Sequence, residues 1–489
     1  MQVQAGCLVG VEAHPVLVEA RIVPGLPAFD VVGLPERGVR ESRVRVKSAL
    51  GAQGYEFPSR KVVVNLAPGD LRKTGASYDL AVAIALLESC GLLRSEALGE
   101  TLILGELSLA GALRPIRGVL PHLRSAARRG LRRAIVPAAN AAEAALVSSV
   151  DVRLARTLRE VVEHLDGTSE LPSPTPSAGE AASCAHDLAE VRGQATVRRA
   201  LEIAAAGRHH LLMIGPPGAG KTMMARRLPG LLPAPDEEES LAIATIASAA
   251  GLPLPRRGVR PFRAPHHTAS AAAMVGGGDP VHPGEVTLAH GGVLFLDELP
   301  EFRRDVIETL RTTMETGSID IARARQRVRM PADPLVVAAM NPCPCGYAGD
   351  AERQCMCGAD RIRRYVSRIS GPLLDRFDLH VRVPRVPPRD LRTGPRAEAS
   401  SLVRARVQKA HEHRARRPAP RDLDGLLEGV EPAALELLDR AVDALKLSAR
   451  AYVKALRVGR TIADLAGRTQ VEASDLAEAV QYRQLDKKD

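Results

Sequence analysis

A glycine-rich loop near residue 215 has the residue types that bind phosphate groups. Its sequence GPPGAGKT fits the spacing G-x-x-x-x-G-K-[ST], follows the apolar run LLMI and precedes a helix-like segment. Glycines let backbone N–H groups turn towards phosphate oxygens, the lysine reaches the β and γ phosphates, and the threonine hydroxyl ligates Mg²⁺. An ordinary glycine turn needs no such flanking strand and helix. The sequence therefore predicts an ATP and Mg²⁺ site formed by Gly215, Pro216, Pro217, Gly218, Ala219, Gly220, Lys221 and Thr222.

Polar side chains follow two further apolar runs. GVLFLDELPEF places Asp297 and Glu298 directly after a buried strand. They therefore lie at the phosphate-binding edge of the sheet, where the carboxyl ends of the parallel strands meet. Asp297 is predicted to hold Mg²⁺, and Glu298 to orient and polarise the attacking water. LVVAAMNPCPCG leaves Asn341 at the tip of a third strand, within reach of the γ-phosphate or the water. In isolation, an acidic pair is often a helix start and Asn before Pro a turn residue.

Four of the seven cysteines fall in two C-x-C pairs separated by a short polar loop. Four thiolates this close suit tetrahedral Zn²⁺, because a short loop can fold both pairs around one ion. Reduced thiols in a loop are the alternative. The candidate zinc ligands are Cys343, Cys345, Cys355 and Cys357.

The elements that position these residues alternate along the middle of the chain. Apolar strands separated by helix-like segments over residues 186–395 predict an α/β fold, with a parallel sheet and helices on both faces. Residues 396–489 contain only helix-like segments and predict a small all-α lid. Upstream, residues 1–166 mix β-rich runs with a helical stretch and predict a separate α/β domain. Residues 167–185, rich in Ser, Pro, Gly and Ala, predict a linker.

Composition restricts the class of protein less than the motifs do. The chain has 489 residues, a formal net charge of +10 and several arginine clusters, which favour a polyanionic partner. Arginine-rich coding in a GC-rich genome is an equally good explanation of that charge. No stretch has the roughly 18 apolar residues of a membrane span, and the first residues lack the pattern of a signal peptide. We therefore expect a cytoplasmic protein that does not bind membranes.

Together these motifs resemble those of the AAA+ ATPases, specifically the magnesium-chelatase-related ComM/YifB-like group. The most specific stretches are VRGQATVRRALEIAAAGRHHLLMIGPPGAGKTMMARRLPGLLP, RPFRAPHHTASAAAMVGGG, PGEVTLAHGGVLFLDELPEF, NPCPCGY and YVSRISGPLLDRFDLHV. The resemblance implies that Arg376 is an arginine finger inserted into a neighbouring subunit, and hence a ring, expected to be a homohexamer. It also implies that Arg450 is the sensor-two arginine of the lid, with Arg457 as the substitute.

A basic segment follows the acidic pair. In this group a hairpin precedes the Asn341 strand, and here it reads SIDIARARQRVRMPADP. Arginine at every second position of an extended ribbon predicts one basic face that suits a phosphate backbone. A solvated hairpin is the alternative. The candidate DNA contacts are Arg323, Arg325, Arg327 and Arg329, whereas His266 and His267 are interpreted as loop structure.

The upstream domain resembles the Lon-type protease fold, a ribosomal S5 domain 2-like α/β arrangement. KTGASYDLAVAIALL places Ser77 where that fold has its nucleophile, but the position of the catalytic lysine is Leu120. A serine without a base is a weak nucleophile. We therefore predict a domain that serves shape or assembly and has no peptidase activity.

The resemblance implies an ATP-driven hexameric helicase that promotes branch migration in homologous recombination during natural transformation. Single-stranded or branched DNA is the expected partner. The alternatives are an AAA+ motor that remodels protein or serves a metal-chelating complex, and a protease with its own ATPase.

Overall fold

The computed structural model describes residues 2–175, 186–323, 326–350, 352–394, 396–418, 420 and 422–483. Within these residues the chain forms an α/β domain, a second α/β domain and a helical domain, in that order. None of the helices in these ranges combines the length and apolar character needed to cross a bilayer.

The first domain is built on a seven-stranded mixed sheet in the order β3-β4-β2-β1-β5-β8-β9. β1 and β2 form an antiparallel pair, as do β2 and β4, and the other neighbours in the sheet are parallel. The strands of this domain, including a separate pair β6–β7, are β1 (Val3–Val9), β2 (Glu12–Val23), β3 (Ala28–Val32), β4 (Lys61–Ala67), β5 (Thr101–Ile103), β6 (Glu106–Leu107), β7 (Leu113–Arg114), β8 (Arg133–Pro137) and β9 (Asp151–Ala155).

Helices cover this sheet with small and branched apolar side chains. The helices are α1 (Arg37–Ala52), α2 (Asp79–Ser89), α3 (Val119–Arg128), α4 (Ala141–Ala144) and α5 (Leu158–Leu165). α2 is buried along nearly its whole length, which explains its apolar sequence LAVAIALL. Residues 167–175, part of the predicted linker, run beside the first domain, where Leu171 is buried and the Pro172 carbonyl accepts a hydrogen bond from Leu154. Residues 176–185 of that linker lie outside the described ranges.

The second domain contains a five-stranded parallel sheet in the order β11-β14-β17-β10-β18. All residues of its central strands β10, β14 and β17 are buried, because helices cover both faces. The strands of this domain are β10 (Leu211–Ile214), β11 (Phe262–Arg263), β12 (Gly276–Gly277), β13 (His282–Pro283), β14 (Val293–Leu296), β15 (Ser318–Arg323), β16 (Gln326–Pro331), β17 (Leu335–Met340) and β18 (Leu379–Arg382).

The helices of this domain connect and flank the sheet. α9 begins at a capping box formed by Asp236 and Glu239 and ends at Gly251, whose φ of 70° suits glycine. The helices are α6 (Ala195–Gly207), α7 (Lys221–Ala225), α8 (Leu228–Leu231), α9 (Glu237–Ala250), α10 (Ala271–Val275), α11 (Glu285–Leu288), α12 (Arg304–Thr316), α13 (Ala359–Val366), α14 (Gly371–Leu374) and α15 (Pro388–Thr393).

The C-terminal helices pack on α6 of the second domain. An ion-pair network joins them to it, since Glu202 of α6 binds Arg406, and Arg199 binds Glu478. The helices are α16 (Ser400–Ala415), α17 (Leu423–Leu427), α18 (Pro432–Leu445), α19 (Ala449–Leu465) and α20 (Ala473–Gln481).

The first and second domains meet where α3 packs against α9. The backbone N–H of Leu120 donates to the Ser248 hydroxyl (3.2 Å) and to a carboxylate oxygen of Glu143 (3.1 Å). Ser248 also donates to Glu143, and the Arg124 guanidinium donates to Thr245 (3.1 Å). The two domains are therefore joined by a polar contact as well as through the chain between them.

Candidate nucleotide-binding site

The predicted phosphate loop follows the central strand β10, as the sequence indicates. The Gly215 N–H donates to Met340 O (3.2 Å), which ties the loop to β17. A Cβ at Gly215 would lie 2.2 Å from the Val383 carbonyl oxygen, so only glycine fits there. Gly218 and Gly220 have φ of 78° and 90°, the left-handed region that favours glycine. These glycines account for the sharp turn into α7, which begins at Lys221.

The Lys221 side chain folds back over the loop. Its ammonium group donates to Gly215 O (2.6 Å), Pro216 O (3.0 Å) and Asn341 Oδ1 (3.1 Å). Burial lowers the pKa of Lys221, and the negative charges of Asp297 and Glu298 oppose that shift. The contact with Asn341 joins the ends of β10 and β17. The Asn341 side-chain amide therefore lies within reach of a phosphate group bound to Lys221.

Thr222 and the acidic pair form the second part of the site. The Thr222 hydroxyl donates to Asp297 Oδ2 (2.7 Å), and the Glu298 N–H donates to Asp297 Oδ1 (3.0 Å). A hydroxyl and a carboxylate held this close offer the oxygen ligands that Mg²⁺ prefers. The donor set therefore fits the metal that the sequence predicted, and Thr222 and Asp297 are the residues that would hold it.

Arg376 and Arg450 lie away from this loop. The Asp378 N–H donates to His210 O (2.8 Å), which places the Arg376 segment beside the amino end of β10, whereas the phosphate loop follows its carboxyl end. The strand between them spans about 13 Å. Arg376 is 18% exposed and pairs with Glu315 of α12. Arg450 lies 3.9 Å from Asp375, next to Arg376, and Arg457 is exposed further along α19.

Comparison with known proteins places this arrangement in a family. Three protein-family models match segments of the chain. They are "Magnesium chelatase, subunit ChlI" over residues 187–391, "Subunit ChlI of Mg-chelatase" over 18–140 and "Magnesium chelatase, subunit ChlI C-terminal" over 397–483. The uncharacterized protein YifB of Salmonella typhimurium is 44% identical, covering 98% of this chain and 96% of that protein. Competence protein ComM of Haemophilus influenzae is 43% identical, covering 97% of this chain and 95% of that protein.

This chain belongs to the ComM/YifB family. The family membership confirms the predicted fold class, an α/β AAA+ domain with a C-terminal helical domain. The likeness of the preceding α/β domain to the Lon-type protease fold stays a prediction. The AAA+ domain of this ComM/YifB family member indicates an ATPase.

The hairpin of this family member differs from the expected ribbon with all arginines on one face. β15 and β16 pair with Ala322 opposite Arg327 and Arg323 opposite Gln326. Because the chain reverses between the strands, the backbone position of Arg323 falls on the face opposite to Arg327 and Arg329. The prediction of a single face was therefore wrong for Arg323, and Arg325 lies outside the described residues.

Arg327 and Arg329 do share one exposed face of β16. The Arg327 side chain is 77% exposed and lies 3.8 Å from Asp320. Arg329 donates to the Ser318 hydroxyl at 3.0 and 3.2 Å. Val328 and Met330, on the other face, are buried, and both lie beside Gly10 in the turn between β1 and β2 of the first domain.

The four candidate zinc ligands converge. Their Sγ atoms all lie within 4.8 Å of one another, and Cys343, Cys345 and Cys355 are separated by 3.3 to 3.6 Å. Zn–S bonds of about 2.3 Å in a tetrahedron require sulfur separations of about 3.8 Å, so the donor set fits Zn²⁺. Hydrogen bonds from the backbone N–H groups of Tyr347 and Met356 lower the pKa of Cys345 to about 6.

The cysteine loop also touches the phosphate loop. A Cβ at Gly346 would lie 2.5 Å from the Cδ atom of Pro217, so the two loops are in direct contact. Gly346 has a φ of 88°. The loop that contains the cysteines therefore packs against the phosphate loop.

The protease-like position in the first domain has no lysine. Leu120 is fully buried on α3, and its backbone N–H serves the contact with α9. Among the described residues none accepts a hydrogen bond from the Ser77 hydroxyl, whereas the Ser77 carbonyl accepts one from Gly105 (3.0 Å). The prediction of an inactive peptidase site stays a prediction.

Two residues near the nucleotide site were missed by sequence reasoning. His267, interpreted as loop structure, places Nδ1 3.1 Å from Glu298 Oε2. Gln194, in the VRGQ stretch, donates to Pro384 O (2.6 Å) and to Ala219 O of the phosphate loop (3.4 Å). Its Oε1 atom is buried and has no partner among the described residues. The only sequence signal for Gln194 was the resemblance of its stretch to the family.

Proposed function

We propose that this chain is an ATP-hydrolysing motor that forms rings and acts on DNA. The observation that carries the ATPase is the convergence of Lys221, Thr222, Asp297 and Asn341 from three neighbouring strand ends. These are the groups needed to bind a triphosphate with Mg²⁺ and to stabilise charge on the transferring phosphoryl group. Glu298, one residue beyond the Mg²⁺ ligand, orients the attacking water and accepts its proton.

The location of the two remaining arginines supports a ring. Arg376 and Arg450 lie together at the end of the sheet opposite to the phosphate loop of their own chain. A guanidinium there serves catalysis only if it reaches the site of a neighbouring subunit. Glu315 and Asp375 are the counterions of the two arginines in the isolated chain. We therefore assign both arginines to the neighbour's nucleotide, in a homohexamer.

The hairpin supports DNA as the substrate. Arg327 and Arg329 present two guanidinium groups on one exposed face, and the net charge of +10 favours a polyanion. The relative ComM is named a competence protein. We propose that the motor moves single-stranded or branched DNA and promotes branch migration during natural transformation.

The cysteine cluster supports Zn²⁺ as a structural metal. The four thiolates hold the ion and thereby stiffen the loop that contacts Pro217. Protein purified without chelator is expected to contain about one zinc per chain, and Cys355→Ser/Cys357→Ser to contain none. Wild-type protein with less than about a tenth of an equivalent contradicts this assignment.

The decisive experiment is a three-strand branch-migration assay combined with ATPase rates with and without forked DNA. Lys221→Ala is expected to abolish ATP binding, and Glu298→Gln to retain binding but lose hydrolysis by about 10²-fold or more. Both variants should lose branch migration. ATP hydrolysis that DNA leaves unchanged, together with a stoichiometric protein partner in a pull-down, favours a protein-remodelling or chelatase motor instead.

The hairpin is tested separately, with salt as the variable. Arg327→Ala/Arg329→Ala should weaken DNA binding and reduce the slope of log K against log salt by about 1.4 to 1.8, because two phosphate contacts are lost. Lys409→Ala/Arg440→Ala removes the same charge from exposed positions of the helical domain and is the matched control. Equal slopes for the two double variants would show that Arg327 and Arg329 do not contact DNA.

A further inference from the structure

The loop between β11 and α10, residues 264–270, passes beside the acidic pair. β11 and β14 are parallel neighbours, with Phe262 opposite Val293 and Arg263 opposite Leu294. The chain segments that leave their carboxyl ends therefore run next to each other. This topology brings His267 to Glu298, with Nδ1 and Oε2 separated by 3.1 Å.

The Glu298 side chain has little else to hold it. It is 52% exposed, and in the described part of the chain His267 is the one side chain paired with it. Glutamate has three rotatable side-chain bonds, so an unpaired carboxylate samples several orientations. The backbone of Glu298 is by contrast well defined, with φ of 53° and its N–H donated to Asp297 Oδ1. The histidine contact is what selects one orientation of the carboxylate.

The histidine is itself fixed by its loop. Arg263 forms two hydrogen bonds of 2.6 Å with the Glu285 carboxylate, which anchors the start of the loop to α11. His266 Nδ1 lies 2.8 Å from the Thr268 hydroxyl, and the His266 ring contacts the His267 ring with centroids 4.2 Å apart and planes tilted by 33°. Ser270 caps α10 by accepting from the Ala273 N–H (3.2 Å), which fixes the end of the loop.

We propose that His267 is a positioning residue for ATP hydrolysis, which donates its Nδ1–H to Glu298 and holds the carboxylate towards the attacking water. The inference rests on the proposed ATPase function. Misplacement of a reacting group by about 1 Å can cost 10²-fold in rate, so the contribution belongs to turnover and not to ATP binding. His267 takes no proton from the water and contacts the substrate only through Glu298.

The test compares three single variants of the full chain, with kcat and ATP affinity measured separately. His267→Ala is expected to lower kcat by at least about tenfold and to leave the Kd for a fluorescent ATP analogue within about twofold. His267→Asn is expected to restore most of kcat, since the asparagine Nδ2 takes the place of the imidazole Nδ1–H. His411→Ala removes an exposed histidine of the helical domain and is the control, expected to keep kcat within about threefold.

Each contrary outcome has a distinct meaning. If wild type hydrolyses ATP and His267→Ala does so at the same or a higher rate, the positioning role is wrong although the ATPase stands. If His267→Ala loses ATP affinity in parallel with kcat, or if His267→Asn does not recover kcat, the role of His267 is purely structural. Either result overturns the proposal. If wild type itself does not hydrolyse ATP, the proposed function fails first.

Discussion

At the scale of single residues, Gly346 is the point where the cysteine loop meets the phosphate loop. A Cβ there would overlap Pro217, and the φ of 88° also disfavours any other residue. Gly349, three residues later, has a similar φ of 73°, but its surroundings leave open the position that a Cβ would take. The two glycines therefore separate the effect of backbone strain from the effect of the contact.

We expect Gly346→Ala to raise the Kd for ATP by about tenfold, because Pro217 must move and the phosphate loop with it. Gly349→Ala carries a comparable strain but no overlap, so its ATP affinity should stay near that of wild type. Fluorescent-nucleotide titration of both variants measures the difference. Equal affinities would mean that the loop contact does not shape the nucleotide site.

The residues that could be predicted from sequence are those whose roles depend on neighbours along the chain. Lys221 and Thr222 lie in one continuous motif, and Asp297 and Asn341 each end an apolar strand. His267 could not be assigned in this way, because its partner Glu298 is distant in sequence and close only across two parallel strands.

At the scale of elements, α3 packs across β1 and β2 of the first domain through a buried histidine. A Cβ at Gly6 of β1 would lie 2.4 Å from His122 Nδ1, which shows how closely helix and strand approach. Burial, together with the nearby Arg129 and His14, lowers the pKa of His122 to about 4. The imidazole is therefore neutral in the folded domain at neutral pH.

This pKa predicts acid sensitivity of the first domain. The unfolded chain binds a proton near pH 6.5 and the folded domain near pH 4, so the stability is complete above about pH 6.5 and falls as the pH approaches 4. At pH 5 the loss is about 2 kcal/mol. His122→Asn should remove this part of the pH dependence in calorimetry at pH 7.5 and 5. His411→Asn, at an exposed position, is the control, and an unchanged acid shift in His122→Asn contradicts the assignment.

The hairpin shows where a periodic pattern fails to predict an element. Period two places alternate residues on one face only within a single strand. Here β15 ends at Arg323 and β16 pairs with it in the antiparallel direction, with Ala322 opposite Arg327. The alternation of faces along β16 therefore does not continue the alternation along β15. The sequence between the strands contains no glycine, asparagine or proline that would have marked the turn.

At the scale of the whole molecule, the order of the domains and the parallel sheet follow from composition and strand patterning. The contact between α3 and α9 does not, because it depends on hydrogen bonds such as that from Leu120 to Ser248, which join two helices far apart in the sequence. The position of Arg376 opposite to the phosphate loop likewise required the strand order, in which β18 lies beside β10.

The proposed ring predicts that two inactive variants regain ATPase activity when they are mixed. Lys221→Ala retains its donated arginine but has no working nucleotide site, and Arg376→Ala retains its site but donates no arginine. Each variant alone should be inactive as an ATPase. An equal mixture should recover about a quarter of the wild-type rate, because about one interface in four pairs an intact site with an intact arginine.

The mixing experiment includes its own control. Mixing Lys221→Ala with the double variant Lys221→Ala/Arg376→Ala yields no complete interface and should give no activity. Full activity of Arg376→Ala alone would show that the arginine is not needed. An inactive mixture, with mixed oligomers demonstrated by differently tagged chains, would show that the two groups do not meet across subunits.

The burial of Leu120 has a consequence for how the first domain is attached to the second. The N–H of this residue joins α3 to Ser248 of α9, while its side chain is fully buried. A lysine in its place would bury an ammonium group at this attachment, which costs several kcal/mol without a charged partner. A general base could therefore not be added at this position without weakening the contact between the two domains.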